Sequence, residues 1–121
     1  MTIKLPQYIK IGVHSYLLLY PYKFKERNDF YGQIDYDLQE IRLCGVDTNG
    51  FERPFTETLV ALLHEIIHGI DHVYFAGKMC EVNEKEKLTE ILAQGLAQVL
   101  EDNGLLKQLI EYEPITEIGE L

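Results

Sequence analysis

Tryptophan is absent from the 121 residues, and cysteine and methionine occur only twice each. The cysteines, Cys44 and Cys80, are far apart in the chain and form no C-x-x-C pair. That excludes a disulfide framework and a thiolate metal cluster, and predicts two buried thiols. No run of about 20 apolar residues exists, which excludes a membrane-spanning helix. The opening stretch is broken by Lys4, Pro6 and Lys10 and has no apolar signal region, so a cytoplasmic location is expected. Cations are scarce: 11 Lys and Arg face 20 Asp and Glu, for a net charge of −9. With no basic stripe, nucleic acid is excluded as the main partner. Internal repeats and low-complexity segments are also missing.

What remains is ordinary globular material, 46% hydrophobic and 26% charged, sized for a single domain over residues 1–121. The acidity gathers in the second half. Residues 61–121 carry four Lys and Arg against twelve Asp and Glu, whereas residues 1–60 carry seven against eight.

The first half reads as two hairpins. Tyr8–Ile11 and Tyr16–Tyr20 are rich in β-branched and aromatic residues and flank a turn at Gly12-Val13-His14-Ser15. Tyr31–Tyr36 and Glu40–Cys44 flank a second turn at Asp37-Leu38-Gln39. The last of these strands alternates apolar and charged residues, which predicts one exposed face. Pro54 suits the first turn of a helix, where a missing N–H costs nothing. A helix is expected from there to Tyr74. Leu59, Leu62, Leu63, Ile66, Ile70, Val73 and Tyr74 form its apolar sector, and His64, His68 and His72 lie opposite. A second helix is expected over Glu84–Asp102, with an apolar stripe of Leu88, Ile91, Leu92, Leu96, Val99 and Leu100. Asn103-Gly104 gives it a left-handed stop signal. A short amphipathic continuation (105–112) and a loosely held acidic tail (113–121) follow.

Within the first helix stands His64-Glu65-Ile66-Ile67-His68, an H-E-x-x-H pattern. Residues four apart share one face of a helix, so two imidazoles can converge on one ion at Zn–N distances of about 2.0–2.1 Å. Glu65 points to the side, free to take a proton from a water that zinc has acidified to a pKa of about 7. Short patterns of this kind also arise by chance. The clean core face of the same helix favours a metal site.

A catalytic zinc needs a third protein ligand and an open position. The candidates are Asp71, His72, Glu84, Glu86 and Glu90. On a continuous helix His72 lies about 12 Å along the axis from His64, too far for both to bind while His68 does. It is expected beside the metal, where an imidazole can hydrogen-bond a developing oxyanion, or simply at the surface. Asp71 is expected either to fix the tautomer of a ligand histidine or to end the helix in water. Glu90 is the preferred ligand, because it shares a face with Ala93 and Ala97, small residues that admit a neighbouring helix. Glu86, one turn earlier, is its rival.

The run from Leu62 to His72, followed by Thr89-Glu90-Ile91-Leu92-Ala93-Gln94-Gly95-Leu96, resembles the gluzincin arrangement, in which a glutamate on a following helix completes H-E-x-x-H. It is similar to small ImmA/IrrE-type metallopeptidases and to phage-encoded or minigluzincin-like single-domain proteins. The resemblance covers about residues 30–103. It implies an α+β zincin-like fold in which a short antiparallel sheet packs on the metal helix and the glutamate helix. It also implies His64, His68 and Glu90 as zinc ligands, Glu65 as general base, and a peptide or protein as substrate. No second subdomain of the kind found in larger gluzincins is present. The expected function is zinc-dependent hydrolysis of peptide bonds, with the peptide added alongside Glu40-Ile41-Arg42-Leu43 as an extra strand. The alternative is a catalytically weak or inactive zinc-binding module that engages a protein partner. In a latent form, the acidic tail would cover the cleft.

Overall fold

The computed structural model describes residues 5–24, 31–47 and 49–102. They form an α+β fold of four strands and two helices: β1 (Tyr8–Ile11), β2 (His14–Leu19), β3 (Gly32–Asp35), β4 (Glu40–Leu43), α1 (Phe55–Phe75) and α2 (Val82–Asp102). The amphipathic continuation, the acidic tail and the Asn103-Gly104 stop signal lie outside the described residues.

Both hairpins form. β1 pairs antiparallel with β2 from Tyr8 opposite Leu17 to Ile11 opposite His14, across a tighter turn than expected. β3 pairs antiparallel with β4 from Gly32 opposite Leu43 to Asp35 opposite Glu40. The sheet they build is mixed, which corrects the expectation of an antiparallel one. β2 runs parallel to β4, and the order is β1-β2-β4-β3. β4 is therefore an inner strand, and Glu40–Leu43 offers no edge to an incoming peptide. Among the described residues the edges are β1 and β3.

The alternation in β4 resolves as the pattern predicts. Ile41 and Leu43 are fully buried. Arg42, on the other face, reaches Glu40 and Asp35 at 2.7 and 3.3 Å and Gln33 at 2.8 Å. The main core joins Ile11, Tyr16, Leu18, Ile41 and Leu43 to Leu62 of α1. Gly69 lets the helix settle this closely. A Cβ there would lie 2.6 Å from Ile11 Cδ1 and 3.1 Å from that of Ile34, so the helix runs through Gly69 rather than breaking at it.

α1 has the sheet on one side and α2 on the other, so it buries more than one face. Leu59, Leu62 and Ile67 are buried, and so are Glu65 and Asp71, whereas Tyr74 is 65% exposed. Most of the stripe expected to bury α2 faces outward: Ile91 is 57% exposed, and Leu92, Leu96 and Val99 are exposed as well, whereas Leu88 is half-buried and Leu100 packs against Leu59 and Ala97. The buried face is Thr89, Ala93 and Ala97. Small side chains let two helix backbones approach, and dispersion over that close contact outweighs what the larger residues would gain at a greater separation. The Thr89 hydroxyl is sealed there without a hydrogen-bond partner among the described residues. Thr89→Val keeps the shape and removes the unpaired group. A gain of about 1 kcal/mol in denaturant unfolding is expected.

Candidate metal centre

The turn from α1 to α2 is fixed by Asp71, which is 3% exposed. Its carboxylate accepts the Met79 N–H at 2.8 Å and pairs with Lys85 Nζ at 3.0 Å. Lys85 also donates to the Gly77 carbonyl. Burial alone would raise the Asp71 carboxyl, but Lys85 and the Met79 N–H outweigh it and hold the carboxyl below its ordinary value. Asp71 thus neither touches a ligand histidine nor faces water; it pins the start of α2. Glu86 follows Lys85 directly and is positioned by the same clamp.

One turn before Asp71, the imidazoles of α1 meet the carboxylates of α2. His64 Nε2 and His68 Nε2 are 3.2 Å apart. Glu86 lies across both, with Oε1 2.6 Å from His68 Nε2 and Oε2 3.3 Å from His64 Nε2. Ligand atoms of these three residues all lie within 4.8 Å of one another. Two nitrogens bound to one tetrahedral zinc at about 2.05 Å would stand roughly 3.3 Å apart, so the two rings already have the spacing of a shared ion. Two imidazoles and a carboxylate also suit zinc as a donor set.

Glu90 lies on the other side of the His64 ring. Its Oε1 is 2.9 Å from His64 Nδ1, and Gln94 donates to its Oε2 at 2.9 Å. Burial pushes the Glu90 carboxyl up, but the bonds from Gln94 and His64 bring it below its usual value. A carboxylate only accepts, so the contact with Glu90 favours the tautomer with its proton on Nδ1, in which a neutral His64 would offer Nε2 to an ion. Both carboxylates singled out from the sequence thus reach the histidine pair, at different nitrogens.

Glu65 is 7% exposed and borders a cleft of about 480 Å³ where α1 and α2 meet the beginning of β3. Burial is the main reason that its carboxyl is raised to about 7; Glu86 adds to the rise and His64 opposes it. Gly32 of β3 makes the room. A Cβ there would stand 3.0 Å from Glu65 Oε2 and 3.2 Å from its Cγ, a constraint that glycine in a strand leaves unannounced in the sequence. Gly32→Ala should fold normally and shift Glu65 by a few tenths of an ångström. A crystal structure of the variant checks that displacement.

His72 does not join the metal group or line the cleft. Its exposed ring lies flat on Tyr36, with centroids 3.9 Å apart and planes at 6°. Tyr36, unremarked in the sequence, donates its hydroxyl to the His68 carbonyl at 3.3 Å. Burial and the nearby Glu65 and Asp71 carboxylates push that hydroxyl up to about 12, so it remains a donor. Cys44 is buried and donates its thiol to the Val46 carbonyl. Cys80 is half-buried, and neither thiol belongs to the metal group.

No family model, curated protein or solved structure matches the chain.

Proposed function

We propose that the protein is a zinc-dependent peptidase of the H-E-x-x-H type, with His64, His68 and a carboxylate of α2 holding the ion. The observation that carries this reading is the 3.2 Å gap between two Nε2 atoms bridged by Glu86. Zinc bound there would supply a Lewis acid and make water acidic enough to ionise near neutral pH. Glu65, walled in by Gly32, takes the proton of the attacking water and passes it to the leaving amine. With an ion held there, Glu65 would feel a positive charge that offsets the burial raising its carboxyl, and so could act as a base. The peptide lies along β3, the edge strand whose first residue lines the cleft. No helix among the described residues is long and apolar enough to cross a membrane.

Elemental analysis of the purified full chain tests the ligand set. One equivalent of zinc is expected, and His64→Ala should abolish it while leaving the circular dichroism of the fold in place. A wild-type chain that neither retains zinc nor gains thermal stability when zinc is added would end the proposal.

A further inference from the structure

The cleft has a second pole. Its α1 wall is made of Thr56 and Glu57, then Val60 and Ala61, then His64 and Glu65, three successive turns on one side of the helix. At 1.5 Å per residue this wall extends about 12 Å. His64 stands at one end and Arg53 at the other.

Arg53 is 7% exposed, and a buried cation ordinarily has a full set of partners. This one does not. Its guanidinium lies on the Tyr31 ring at 3.9 Å. Among the described residues, Nη2 makes only long contacts to Glu57, 3.5 Å to the carbonyl and 3.4 Å to Oε1, and Nη1 has no hydrogen-bond partner. The Glu57 side chain is 62% exposed, which makes it a weak and replaceable counter-ion. The backbone holds Arg53 in place: its N–H donates to the Gly45 carbonyl, behind a bridge between Val46 and Glu52. The next residue, Pro54, is the N-cap of α1 and provides no side-chain cap, so the partial positive charge of a helix start adds to the guanidinium.

We propose that Arg53 and the first turn of α1 form a carboxylate subsite, which takes an acidic group of the peptide about three residues from the cleaved bond. The distance follows from a wall of about 12 Å and an extended chain that advances about 3.3 Å per residue. The incoming carboxylate displaces that of Glu57 and pairs with the planar fork of the guanidinium. The group recognised is either the C-terminal carboxylate or an Asp or Glu side chain. This subsite rests on the peptidase reading for its substrate, but not for its charge.

Calorimetric titration tests it with three probes: N-acetyl-tetra-alanine as the free acid, its C-terminal amide, and the amide carrying one glutamate. Each is titrated into the zinc-loaded Glu65→Gln chain and into zinc-free wild type. At least one acid-bearing peptide should bind about tenfold or more tighter than the neutral amide, and which one does so identifies the source of the carboxylate. Arg53→Lys should reduce the preference and Arg53→Met should remove it. Glu57→Gln, at an exposed position that folding tolerates, should increase it. Equal binding of acidic and neutral peptides by Glu57→Gln, no binding by any acid-bearing peptide at millimolar concentration, or a preference that survives Arg53→Met would each overturn the subsite. A preference seen in a chain that never binds zinc would keep the subsite and remove the peptidase reading. Zinc-dependent cleavage with no acidic preference would do the reverse.

Discussion

Glu65→Gln should leave the protein folded and loaded with zinc, yet lower peptide cleavage by about 10²–10⁴-fold, the range that a positioned general base supplies. The amide has the same shape, so neither Gly32 nor Leu43, which crowd this region, has to move. Glu65 is not among the three residues, His64, His68 and Glu86, whose ligand atoms gather, so zinc affinity should change little. The loss should appear in kcat, because the carboxylate acts on a proton in flight rather than on bound peptide. An undiminished rate in Glu65→Gln would remove the assigned base, and a variant that also lost its zinc would make Glu65 a ligand.

The same substitution has a second readout when zinc is chelated. Burial raises the Glu65 carboxyl from 4.5 to about 7, so the folded chain keeps this proton over a pH range in which the unfolded chain has released it. The resulting stability is fully present below about pH 4.5 and is lost as pH rises through about 7, a change of about 3 kcal/mol. Asp71, held below its ordinary value, contributes in the opposite sense, with stability lost as pH falls through its folded pKa. Subtracting the pH profile of Glu65→Gln from that of wild type isolates the first contribution. A flat difference between pH 4.5 and 7 would mean that the carboxyl is not buried in solution.

The features legible in the sequence were local ones. Alternation in Glu40–Leu43, the turn at Asp37-Leu38-Gln39 and Pro54 ahead of an apolar period each mark an element through its immediate neighbours. The parallel pairing of β2 with β4 has no such signature, because it joins strands separated by an entire loop and hairpin strand. α2 shows a different failure. Its large side chains form the conspicuous stripe, but Thr89, Ala93 and Ala97 win the contact because close approach depends on small residues. The same alanines led correctly to the face that meets α1. Gly32, Tyr36 and Arg53 act through neighbours distant in sequence, and only a position just before the helix start distinguishes Arg53. Helical phase also placed Glu86 and Glu90 together, one turn apart, and the small neighbours Ala93 and Ala97 favoured Glu90. That choice depends on the axial offset of two helices, which the Asp71–Lys85 clamp sets.

Separate removal of those two carboxylates should therefore give unequal results. Glu86 reaches the Nε2 atoms of both histidines, whereas Glu90 reaches Nδ1 of His64 alone. The two nitrogens of an imidazole point away from each other, so an ion at one is out of reach of a carboxylate at the other. On the proposed reading Glu86 would be the third ligand, and Glu90 would fix the tautomer and orientation of His64. Losing an orienting carboxylate typically costs 10–100-fold in metal affinity. Glu90→Ala should fall in that range in a zinc competition titration, and Glu86→Ala should weaken binding by more than a hundredfold. The reverse ranking would restore Glu90 as the ligand implied by the gluzincin resemblance. It would require the His64 ring to turn on binding, leaving Glu86, whose side chain is 75% exposed, as a bystander at the rim.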